Sequence, residues 1–121
     1  MPEYTPGESA IDTITIAFEA VPHVGSTLYG VASSFLAKKE TEGLVMFLLA
    51  LAKDLQDDSE QINTEFVHRP EFTDFAEFFF SKASEIEEPE RLDALRGIFL
   101  STVLSENPQV GEAREAAKNI Q

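Results

Sequence analysis

The chain has no cysteine and no tryptophan. Without thiols it has no disulfide, no zinc–thiolate or iron–sulfur ligands and no thiol nucleophile. Basic side chains are scarce too: nine Lys and Arg face 22 Asp and Glu, a formal net charge of -13 at pH 7. Such a field repels bare nucleic acid and anionic lipid, and favours basic protein surfaces or cations. Near the N-terminus Glu3 and Glu8 stand where a secretory signal carries basic residues, so no such signal is expected. The longest apolar run, residues 44–52, is nine residues long, under half of the ~20 that a membrane-spanning helix needs. These absences together predict a soluble, cytoplasmic protein with membrane association disfavoured.

What is present is a core. At 121 residues and 43% hydrophobic, with ten phenylalanines, the chain has the size of one domain and enough apolar surface for a continuous interior. Proline and glycine divide it into helical segments. Residues 1–8 read as a flexible lead, and Ser9 as the cap of a first helix that aligns Ile11, Ile14, Phe18 and Val21. The alternation at residues 13–16 is a competing strand signal, but it is short and has no partner of similar pattern. Pro22 ends or kinks this helix, and a second helix over residues 24–39 lines up Val24, Leu28, Val31 and Phe35.

The third helix, residues 41–57, is apolar on all sides from Leu44 to Leu51, which predicts a place at the centre of a bundle. An acidic connection at residues 57–60 follows. Pro70 and Pro89 then open a fourth and a fifth helix as first-turn prolines. Asn107 and Pro108 predict the start of a short sixth. The expected architecture is all-α, a single compact bundle of five to six helices over residues 9–121. Phe35, Leu48, Leu51, Phe72, Phe75, Phe79, Leu95 and Phe99 are its predicted core.

Catalytic and metal-binding motifs fail on inspection. Residues 54–65 have the length of a calcium-binding EF-hand loop, but Ser59 replaces the turn glycine and Gln61 the apolar eighth residue. Glu65 and His68 form one Glu-x-x-His half of a di-iron site, which needs a second half and two more glutamates. Two isolated histidines, His23 and His68, give no nucleophilic triad, and residues 25–30 lack the lysine of a phosphate-binding loop. No catalytic, cofactor-binding or metal-ligating residue is assigned, and no cofactor is expected.

Two features point to binding. Between Asp54 and Glu90 the sequence places twelve acids against Arg69 and Lys82 alone. Beside them Phe78 lies off the apolar arc of the fourth helix, and with Phe80 it suggests an aromatic anchor with an acidic rim. The candidate partner-binding residues are therefore Asp74, Glu77, Phe78, Phe80, Glu85, Glu87 and Glu88. The small residues Ser26, Gly30 and Ser34 form a separate stripe on which a second copy of the chain could pack closely.

Pro22 and Gly25 before a small-residue helix, the apolar helix 44–55, Ile62 to Phe66, Glu71-Phe72, Asp74-Phe75 and the helix start at Glu90-Arg91-Leu92 together resemble small bacterial all-helical domains of the Abi-alpha type. That resemblance implies a setting in abortive infection and phage defence, or in counter-defence, and carries over no catalytic position. The expected function is a non-enzymatic acidic helical module that binds a basic protein surface and does not bind nucleic acid directly. Two alternatives stand beside it: a membrane-acting effector using residues 21–37, and a metal-dependent enzyme built on acidic residues.

Overall fold

The computed structural model describes residues 10–120, with side chains from Asp12 onward. The expected lead at residues 1–8, the Ser9 cap and the side chain of Ile11 lie outside the described residues. The chain forms α1 (Ala10–Glu19), α2 (Gly25–Lys38), α3 (Glu42–Asp57), α4 (Thr64–Val67), α5 (Pro70–Glu85), α6 (Pro89–Val103) and α7 (Val110–Lys118), with a 3-10 turn at Ser59–Gln61. There is no strand among the described residues.

Seven helices replace the expected five or six because one extra turn, α4, forms where the sequence carries no apolar period. Asn63 builds it. Its side-chain Oδ1 accepts from Phe66 N at 2.9 Å, while its Nδ2 donates to Ser105 O at 2.9 Å and its backbone N to Val103 O at 2.9 Å. One residue thus caps α4 and fastens it to the end of α6. Asn63→Ala is expected to cost about 1–3 kcal/mol, the range for a lost cap plus a partly buried carbonyl left unpaired. Denaturant melts of the variant test this; a loss below about 0.5 kcal/mol would contradict the double role.

The prolines act as expected at α5 and α6, where each occupies the first turn. Thr41 caps α3 by accepting from Leu44 N at 3.1 Å. The last helix starts later than Asn107-Pro108 suggests. Asn107 N instead donates to Ser105 Oγ at 3.0 Å in a bend, and α7 opens at Val110.

Packing runs α1 on α2 and α3, α2 on α5, α3 on α5 and α6, α5 on α6, and α7 on α5 and α6. The helix with most partners is therefore α5, not the apolar α3. Helix α3 keeps an outer stripe at helical spacing, Glu42, Met46, Lys53 and Asp57, all exposed. Inside, eight phenylalanines from α1, α3, α4, α5 and α6 are buried. Phe99 of α6 is a hub, as is Phe75 of α5: the Phe99 ring lies 5.2 Å from Phe75, 5.5 Å from Phe79, 6.0 Å from Phe80 and 6.2 Å from Phe72, and Phe75 also meets Phe66, Phe72 and Phe79.

Of the predicted core, Phe35 alone is not fully enclosed; Leu36 is buried in its place. The cause is Gly25. A Cβ there would overlap the carbonyl oxygen of Phe18, so α2 presses its Gly25 face onto α1. Leu28, Ala32 and Leu36 share that face at the 3.6-residue period, and Phe35 is turned toward the rim. At Pro22 and His23 the connection bends sharply, with His23 in the left-handed region at φ 69°.

Candidate functional site

Helix α5 carries most of the candidate residues because its buried face is paid out to four neighbours, leaving one outer edge. Successive residues turn by ~100°, so Asp74, Glu77 and Glu85 fall on this edge, and all three are exposed. Glu87 and Glu88, in the connection to α6, are exposed as well. The five carboxylates therefore lie in solvent as the sequence suggests. Among them, Glu88 alone has an ion-pair partner, Arg91 at 3.7 Å.

The surrounding acids divide in the same way. Asp54 pairs with Arg96 at 2.7 Å, Asp57 with Lys53 at 3.1 Å, and Glu65 and Glu71 with Arg69 at 2.7 and 3.4 Å. The hydrogen bond that Arg69 donates to Glu65 holds its guanidinium above the ordinary arginine value, keeping this cation charged and engaged. Asp58, Glu60, Asp74, Glu77, Glu85, Glu87 and Glu90 have no ion pair among the described residues. The exposed pairs of Lys53 and Arg69 contribute little stability. Their effect is on the surface field, which they leave strongly negative along α5 and the α5–α6 connection.

The two aromatic candidates do not stand as exposed anchors. Phe80 is fully buried, in edge contact with Phe47 of α3 at 6.1 Å and tilted against Phe99. It lies ~40° beyond the arc predicted from Phe72, Phe75, Ala76, Phe79 and Ala83. A helix packed on four sides buries a wider arc than one lying on a single layer, so Phe80 belongs to the core. Phe78 is half-buried. Its ring contacts Phe79 at 5.6 Å and is covered by the Arg114 guanidinium of α7 at 5.3 Å, a cation–π seam between α5 and α7. The Arg114 Nε is buried there without a hydrogen-bond partner.

The structure brings forward residues that the sequence reading had placed in the core or left aside. A cleft of about 790 Å³ opens between the start of α3, the end of α5 and the start of α6, lined by Met46, Phe47, Ile86 and Leu92, with Glu85 and Glu87 of the candidate set on its edge. Met46 is 54% exposed there. The signal that could have found it is the outer stripe Glu42, Met46, Lys53 and Asp57, in which Met46 is the one apolar member.

Other motifs resolve into structure. The span that resembled a calcium loop is the end of α3, the 3-10 turn and the start of α4, so it is largely helical. Glu65 on α4 and His68 just past its end are both exposed, and Glu65 is engaged by Arg69. Among the described residues no group of three or more His, Asp or Glu side chains gathers as a metal site. Ser26, Gly30 and Ser34 are exposed, and among the described residues a Cβ on Gly30 would meet nothing within 4 Å, so no described helix packs closely on Gly30. No described helix is long and apolar enough to cross a membrane. In comparison with known proteins, no family model, no curated protein and no solved structure matches the chain.

Proposed function

We propose that this chain is a non-enzymatic acidic interaction module that binds a basic protein surface, in the setting of bacterial phage defence or phage counter-defence. One observation carries the reading: Asp74, Glu77, Glu85 and Glu87 are exposed together along α5 and its C-terminal connection, and no cation among the described residues is paired to them. Unpaired surface carboxylates destabilise a fold slightly by mutual repulsion, while they accelerate encounter with a cationic partner. The setting rests on the resemblance alone.

The test is kinetic, on a partner isolated by affinity capture with the full chain. Asp74→Lys combined with Glu77→Lys is expected to slow association by about tenfold at low salt and to flatten its salt dependence, because rim charges act through a field screened over ~8 Å at physiological ionic strength. Dissociation is expected to change little. Association indifferent to both salt and charge reversal would refute the reading.

A further inference from the structure

We propose that the cleft between α3, the end of α5 and the start of α6 is a docking groove for a short basic segment of a partner protein, which inserts an apolar side chain against Met46, Ile86 and Leu92. The proposal rests on the acidic-module reading above and assigns it a place on the molecule. Three observations lead to it.

The first is the apolar wall. Met46 and Ile16 are the two large hydrophobic side chains of the described chain that are most exposed, at 54% and 57%. Ile16 stands on the outside of α1, whereas Met46 lines a cleft of about 790 Å³ together with the nearly buried Ile86 and Leu92. That volume lies within the ~300–1,000 Å³ of ordinary binding sites. An unbranched thioether adapts its shape to an incoming side chain better than a branched residue does.

The second is rigidity. Gly43 lies against the α5–α6 connection so closely that a Cβ built on it would come within 2.8 Å of Ile86 O and 3.3 Å of Leu92 Cδ1. The inner end of the cleft is thus set by backbone against backbone. A groove formed in advance spends little binding energy on ordering itself.

The third is charge, which selects the occupant. Among the described residues, Glu42, Glu85 and Glu87 border the cleft and make no ion pair, while the Arg96 guanidinium on the same rim is held by Asp54 at 2.7 Å and Asp93 at 2.9 Å. Lys39 is the remaining rim cation with no ion pair among the described residues. Three unengaged carboxylates against one lysine disfavour an acidic or phosphorylated segment. They match lysines or arginines flanking the inserted side chain.

Selection of a random-peptide library on the full chain, followed by binding measurements with the most enriched synthetic peptide, tests this. Enriched peptides are expected to carry a bulky apolar residue between lysines or arginines. Met46→Glu, at an exposed position where the melting temperature is expected to stay unchanged, is expected to weaken binding about tenfold or more. Glu85→Lys with Glu87→Lys is expected to slow association at low salt. Asp74→Lys with Glu77→Lys, which slows association of the whole partner, is expected to have little effect on the short peptide, since those residues lie on the order of 12–16 Å along α5 from Glu85, beyond the ~8 Å screening length. Amide shifts of Gly43 and Ile86 on titration with the peptide are expected to be among the largest. Basic peptides that ignore Met46→Glu but lose binding on Asp74→Lys with Glu77→Lys would overturn the groove and leave the acidic-module reading in place. Enrichment without basic flanks, or no enrichment, would overturn the groove outright. A captured partner whose association is indifferent to salt would instead remove the reading on which the groove rests.

Discussion

Phe99→Ala is expected to lower the unfolding free energy by about 3–5 kcal/mol, the range for truncating a buried phenylalanine. Phe99 belongs in the upper half of that range, because its ring touches those of Phe72, Phe75, Phe79 and Phe80, so one deletion strips partners from four others. The residues around the void come from rigid helices and close it only in part. For a chain of this size the loss amounts to roughly 10–20 °C in melting temperature. It is a large share of the ~5–15 kcal/mol that holds a typical domain together. Thermal melts followed by far-ultraviolet dichroism measure it, with Phe35→Ala as the control at a half-buried ring. Equal losses for the two variants would contradict the hub.

Gly25→Ala is expected to destabilise by about 3 kcal/mol or more, toward the upper end of overpacking effects. The added methyl would overlap the carbonyl oxygen of Phe18, a backbone atom that also accepts from Val21 N at 2.9 Å in the turn ending α1. A flexible side chain could step aside; this carbonyl cannot move without opening that turn. Gly30→Ala, in the same helix and in open space, is expected to do the reverse and stabilise by about 0.5–1 kcal/mol through helix propensity. The opposite signs of two identical substitutions five residues apart are the measurement. A harmless Gly25→Ala would mean that α1 and α2 do not approach as described.

Helix starts were legible in the sequence at Pro70 and Pro89, which sit in first turns, and the buried faces in the apolar spacing of Phe72, Phe75, Phe79, Leu95 and Phe99, whereas Asn107-Pro108 placed the start of α7 too early. What escaped was set by neighbours distant in the chain. Phe80 is buried because α3 lies beside it, Phe35 is turned outward because Gly25 fixes the rotation of α2, and α4 exists because Asn63 reaches across to Ser105. The carboxylates of the candidate surface were legible because charge stays in solvent whatever the topology. The cleft was not, since Met46 reads as one more apolar residue in a run until the outer stripe of α3 is set beside Ile86 and Leu92.

The phenylalanine cluster also gives the chain an optical signature of its own. With no tryptophan to mask it, the phenylalanine fine structure in the near-ultraviolet dichroism of the native protein comes largely from rings clasped edge to face in the interior. Those bands vanish when side-chain packing loosens even if the helices persist. The chain thus reports, without any label, whether a variant has kept a solid interior or only its secondary structure.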